Sequence, residues 1–181
     1  MKKLTIEQLN KRIESTNSEY KKATKAQKRV MIAQDILDRM DLAQLRADEG
    51  TFVNIKGTME DDCSIKQELE KGNIKECKVC AKGAILMGII GRENKVSYGF
   101  LLEIDVENKT DVEKVFSKRQ LDIMEAAFEG DDVCTMQWNE LDEESPTYDK
   151  AMSFYEKNHN SEDRLRGIAT NIIENKGTFK P

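Results

Sequence analysis

Two thiols separated by two residues, Cys77-Lys-Val-Cys80, are the pair in this chain with the spacing of a metal or redox site. Such a spacer can place two thiolates on one ion, but a structural zinc site needs four ligands. Cys63, Cys134 or His159 would have to complete it, and none stands at the spacing of a standard zinc module. A thiol at a helix N-terminus can also become a redox nucleophile. No βαβ pattern surrounds this one, and the competing expectation is that both cysteines fill core space where an apolar helix begins. Four cysteines in 181 residues also fall short of a disulfide framework, so reduced thiols are expected.

Other reactive groups stand in less suggestive company. His159, the one histidine, lies among Asn158, Asn160 and Ser161 in a polar turn with no nucleophile elbow nearby. Glu140, Asp142, Glu143 and Glu144 form an acidic run without an EF-hand or paired acid/base pattern. Neither a Walker loop nor a dinucleotide glycine fingerprint occurs. The reading is a protein that is not an enzyme, with no catalytic residues, no resident metal and no cofactor.

Charge offers a second route to function. Met1 to Val30 holds nine Lys and Arg against three Glu, a local +6 in a chain of −5, so the remainder carries −11. Lys21, Lys22, Lys25, Lys28 and Arg29 could meet phosphates, although a solvated helix face is the commoner meaning of such a run. The acidic remainder argues against a dedicated DNA-binding protein, which needs a basic footprint over a whole face. A local anion site remains, with Lys28, Arg29, Arg164 and Arg166 as candidate cations and Gly83 as a point of close ligand approach. Arg164 and Arg166 diverge by about 200° around a helix, so at most one of them can face a given pocket.

The elements that must position these groups read as mainly helical. Thr5 caps a first amphipathic helix carrying Ile6, Leu9 and Ile13 to about Tyr20, and Thr24 offers a fresh start. Val30, Ala33, Ile36, Leu37 and Met40, continued by Leu42 and Leu45, predict a second helix that stops at Gly50. A short strand is expected in 51–57, and a short helix from Ser64 to Gly72. The stretch from Cys77 to Gly91 is the most apolar and reads as a helix whose Ala81, Gly83, Ala84 and Gly88 allow a neighbouring backbone to come close. Tyr98 to Val106 fits either a strand or a buried loop. Ser117 with Gln120 predicts a capping box, opening a helix that Gly130 stops. Ser145-Pro146 opens another helix, and Ser161 is expected to cap the last, whose Leu165, Ile168, Ala169, Ile172 and Ile173 form one apolar face.

The fold class is therefore mainly α, a single helical domain over 1–181 with about five to seven helices and at most a short two- or three-stranded β element. A chain of this size can remove roughly 70% of its unfolded surface from water, so no staples are needed. No stretch approaches the roughly 20 apolar residues of a membrane span, and no hydrophobic signal core follows the opening Met-Lys-Lys-Leu-Thr-Ile-Glu. A cytoplasmic location is expected.

Four segments taken together carry a likeness to known sequences. These are Gln27-Lys-Arg-Val-Met-Ile-Ala-Gln-Asp-Ile-Leu37, Cys77-Lys-Val-Cys-Ala-Lys-Gly-Ala84, Phe116-Ser-Lys-Arg-Gln-Leu-Asp-Ile-Met-Glu-Ala-Ala-Phe-Glu129 and Asn171-Ile-Ile-Glu-Asn-Lys-Gly-Thr-Phe-Lys-Pro181. The chain resembles, over most of its length, a family of small bacteriophage proteins. That resemblance implies provenance and brings no catalytic residues with it. By analogy, it implies a counter-defence protein in the host cytoplasm that sequesters a small nucleotide immune signal. The alternative is an inhibitor or adaptor that binds a host protein through an apolar helix face or the acidic loop around Trp138, and either could act as a homo-oligomer.

Overall fold

Threonine-glutamine pairs open the first two helices. In the computed structural model, α1 (Ile6–Lys22) and α2 (Lys25–Asp41) each begin with a reciprocal capping box. Thr5 Oγ1 accepts from the Gln8 amide while Gln8 Oε1 accepts from the Thr5 amide, and Thr24 and Gln27 repeat the exchange. Each box satisfies two donors that would otherwise lack partners at the helix start, and the second restarts the helix after extended Ala23. The structure describes residues 4–56, 59–60, 62–92, 96–101, 112–130 and 145–181. The expected features at Cys134, Trp138 and Glu140 to Glu144 lie outside them.

The second helix is shorter than its periodicity predicts. It ends at Asp41, because Ala43 turns left-handed at φ +57° and the Gln44 amide bonds back to the Arg39 carbonyl. Residues Leu45–Ala47 then form β1 instead of a last helical turn. Gly50, also left-handed at φ +69°, lies in the loop to β2 (Val53–Ile55), so it is not a helix stop. The 3.6-residue rhythm carries through Leu45 because an alternating strand also buries that position.

A second correction falls on the apolar stretch. Cys77–Val79 is a strand, β3, and the helix that follows it, α4, spans Ala81–Ile90. The sheet runs β1-β3-β2, with β1 parallel and β2 antiparallel to the central strand. Leu45, Cys77 and Ile55 form one cross-strand row that is buried, whereas Arg46, Lys78 and Asn54 form the exposed row. This alternation is what a sheet with one face on the core requires.

Every residue of α4 is buried, so this helix lies inside the core. α2 lies against it on one side, and α7 (Lys118–Glu129) also packs on it. Gly88 permits the first approach: a Cβ there would stand 2.8 Å from Ile32 Cγ2. The remaining long elements are α3 (Ile65–Lys71), α8 (Pro146–Lys157) and α9 (Ser161–Glu174), with short helical turns α5 (Tyr98–Leu101) and α6 (Val112–Val115) between α4 and α7. A mainly helical fold with a small three-stranded sheet is what composition and periodicity imply, and one contiguous core takes residues from Tyr20 to Phe179.

Caps elsewhere follow the sequence with two adjustments. Ser117 Oγ accepts from the Gln120 amide, one half of the expected box. Asn160, not Ser161, caps α9, its side-chain oxygen accepting from the Asp163 amide at 2.8 Å. Tyr98, whose surrounding sequence suits either a strand or a loop, begins the short turn α5. Among the described residues no helix is long and apolar enough to cross a membrane.

Candidate functional site

The thiols are core groups. Cys77 lies in the central strand and Cys80 stands at the N-cap of α4, both buried and unbridged. Loss of hydration pushes each thiol up to about 12, so both stay protonated at neutral pH and lack the thiolate that attacks or ligates. Among the described residues no group of three or more His, Cys, Asp or Glu is arranged to hold a metal. His159 is exposed.

The cations expected to gather around an anion are dispersed among different internal partners. Lys28 Nζ lies 5.1 Å from the centre of the Tyr20 ring. Arg29 donates to the Val115 carbonyl at 2.6 Å and to the Gly177 carbonyl at 3.2 Å, tying α2 to α6 and to the C-terminal segment. Arg164 pairs with Glu49 and stacks over Tyr155, with 4.1 Å from guanidinium carbon to ring centre. Arg166 pairs with Asp41 at 2.7 Å on the surface. Gly83 faces backbone: a Cβ on it would overlap the Phe52 carbonyl, so its smallness serves the contact of α4 with the lead-in to β2.

A buried charge network joins residues that sequence reasoning does not single out. Asp35 of α2 accepts from Arg92 and from Arg12 of α1, and Arg12 also meets Asp38 at 2.5 Å. Arg39, fully buried, donates to Gln44, which in turn donates to the Leu69 carbonyl. Burial raises the Asp35 carboxyl, and Arg92, Arg12 and Arg39 oppose that rise. A signal for it exists in the sequence: Asp35 and Arg39 fall on the same helical stripe as Ile32 and Ile36, where a solvated charge has no place. These groups fasten α1, α2 and the exit of α4.

Among the described residues a half-open cleft lies beside the sheet. This cleft, of about 400 Å³, is lined by Gly50, Thr51, Phe52, Val53, Asn54, Ile55 and Tyr98. The Lys56 amide donates to the Glu76 carbonyl across β2 and β3, and the ladder pairs Asn54 with Lys78. Antiparallel partners alternate, so Asn54 and Lys56 turn their backbone groups to β3 while Val53 and Ile55 turn theirs away from it. Among the described residues nothing bonds to Val53 or Ile55 on that side.

Two anchors hold the walls. Tyr98 is placed by its amide, which donates to the Cys63 carbonyl at 2.9 Å, beside the Ser64–Ser97 bridge. On the opposite wall, Thr51 donates through its hydroxyl to Asp48, and its carbonyl accepts from the Cys80 amide at 2.5 Å. The Gly50 amide donates to Glu129 Oε2 at 2.9 Å, from the last turn of α7. Glu129 is buried, and loss of hydration pushes its carboxyl up to about 7. The lining side chains are apolar, hydroxyl or amide, and none is a cation. The sequence predicts a strand here but not its open side, since edge position is a property of the assembled sheet.

Comparison with known families, with curated proteins and with solved structures finds no match for this chain, so its function must be argued from this geometry.

Proposed function

We propose that this chain is a non-enzymatic binding protein of phage type that acts on a host protein, taking an extended segment of it against the open edge of β2. One observation carries the reading: Val53 and Ile55 turn their backbone donors and acceptors away from β3 and line a cleft together with Phe52 and Tyr98. A peptide added as a strand gains main-chain hydrogen bonds along such an edge and places alternate side chains in the cleft. The uncharged lining favours apolar or small polar side chains there. This is the inhibitor or adaptor reading of the sequence, moved from the Trp138 loop to the sheet edge.

Sequestration of a small nucleotide is the second reading, favoured by size. The cleft volume of about 400 Å³ is in the range of small-ligand pockets, and Phe52 and Tyr98 offer surfaces on which a base could stack. Phosphates would then have to project toward cations beyond the lining.

The experiment is to screen the protein against an array of ten-residue peptides and repeat the screen with Val53→Pro. The Val53 amide faces away from β3, so proline leaves the ladder bonds intact while closing the edge to an added strand. Peptides that bind the parent protein and are lost with Val53→Pro, at an unchanged melting temperature, support the strand-addition reading. Binding that survives the substitution overturns it. Native mass spectrometry of protein purified from cells tests the second reading, since a retained nucleotide adds its own mass.

A further inference from the structure

The walls of the cleft are not equally fixed. Gly50, Thr51 and Phe52 belong to the loop between β1 and β2; the Cys80 amide holds the Thr51 carbonyl, and among the described residues one side-chain acceptor from outside the loop reaches its backbone, Glu129 Oε2 at the Gly50 amide. Gly50 is left-handed and stands in open space, where an added methyl would meet nothing within 4 Å. Its place is therefore not fixed by packing of its own.

The surroundings of Glu129 are mixed in charge. Glu49 of the same loop and Glu125, one turn earlier on α7, repel its carboxylate. Arg164 of α9 attracts it while pairing with Glu49 and stacking over Tyr155 of α8. Cys80 at the start of α4 faces it as a neutral thiol. Among these influences, the Gly50 amide is the strongest that favours the ionised form. Hydrogen bonds to a charged acceptor are roughly twice as strong as neutral ones. Loss of the charge therefore weakens the tie to the loop even if the two groups stay adjacent.

We infer that Glu129 is a positioning residue for the cleft, whose ionised carboxylate holds the Gly50 end of the wall, the end not tied by Cys80 and Gly83, and whose protonation loosens it. The inference rests on reading the cleft as the binding site. In consequence, occupancy of the cleft responds to pH within the neutral range, and the extended partner segment binds more weakly on the acid side. The same burial that makes the carboxylate costly to ionise makes it responsive there.

The test needs no ligand, so its outcome is separate from that of the peptide screen. In uniformly ¹⁵N-labelled protein, the Gly50 amide, assigned by its disappearance in Gly50→Asn, is followed from pH 5 to 9. The expected result is a single downfield titration of the Gly50 amide proton with a midpoint at about 7, shared by the Thr51 and Phe52 amides and absent in Glu129→Gln. Glu49→Gln, which removes a repelling charge and frees Arg164, should keep the titration and move its midpoint to lower pH. A Gly50 amide that does not titrate in the parent protein overturns the inference. So does a titration that persists in Glu129→Gln, or a midpoint that Glu49→Gln leaves in place.

Discussion

Asp35 and Arg92 meet through two hydrogen bonds, Nε to Oδ2 at 2.5 Å and Nη2 to Oδ1 at 3.0 Å, with both side chains almost wholly out of water. The pair joins the middle of α2 to the residue that follows the C-cap of α4, fixing the central helix at its far end. Removing one member of a buried pair leaves the other desolvated and uncompensated, at a cost of about 3–5 kcal/mol. Asp35→Ala should lower the urea midpoint accordingly, whereas Asp41→Ala, which removes the exposed partner of Arg166, should change stability by less than about 1 kcal/mol. Equal effects from the two substitutions would contradict the assignment of the inner network as the structural one.

Gly83→Ala tests the contact between the central helix and the cleft. The added methyl would overlap the Phe52 carbonyl, which is backbone and cannot rotate away. Ordinarily alanine in a helix gains roughly 1 kcal/mol over glycine. Here the sign should reverse, with a loss of about 1–3 kcal/mol from overpacking and a displaced Phe52 wall. Calorimetric melting of Gly83→Ala beside the parent protein gives the sign directly.

The helices are legible in the sequence where a cap and a periodic stripe agree, as at Thr5, Thr24, Ser64, Ser145 and Gly130. They mislead where one residue satisfies two periodicities. Leu45 continues the apolar rhythm of α2 and equally suits a buried strand position, and Ala43 ends the helix in a left-handed turn that composition does not announce. Cys77 and Val79 alternate with Lys78, a strand pattern hidden because it runs without a break into the apolar helix α4.

Site residues are harder to read for a different reason. Arg29 and Arg164 have the side chains a phosphate site needs, but what they do is decided by carbonyls and carboxylates distant in the chain, Val115, Gly177 and Glu49. Gly83 does mark a place of close approach, and what approaches is the Phe52 backbone. The open edge of β2 depends on strand order, which no local pattern encodes.

The cysteines yield a chemical prediction. Cys77 and Cys80 are buried, and burial pushes both thiols up to about 12, so neither the access nor the thiolate that alkylation needs is present. Iodoacetamide at pH 7.5 should leave both unmodified in the native protein and label both in 6 M guanidinium, as read by peptide mass mapping. Chelator treatment should leave the melting temperature unchanged. Rapid native labelling at either position would point to a reactive pair and reopen redox chemistry for this motif.

Glu129 carries the pH dependence of stability with a definite sign. Its carboxyl lies at about 7 in the folded chain, above the ordinary 4.5, mainly because burial disfavours the charge. Between those values the native state holds a proton that the unfolded state has lost, so stability is fully present at acid pH and declines as pH rises through about 7. Glu129→Gln cannot ionise and should escape that decline. The variant's advantage over the parent should therefore be larger at pH 8 than at pH 5, by at most about 3 kcal/mol from the size of the shift. Comparing parent and variant at each pH cancels the titrating groups that do not act on Glu129, Asp35 among them. Global stability and local order thus run in opposite directions at this residue. Ionisation strains the fold as a whole while strengthening the bond to Gly50, so the urea midpoint should fall from about pH 4.5 and level off near pH 7, where the Gly50 amide titration has its midpoint, and the two respond with opposite sense. A constant difference between Glu129→Gln and the parent across pH 5 to 8 would show that this carboxyl keeps its ordinary acidity.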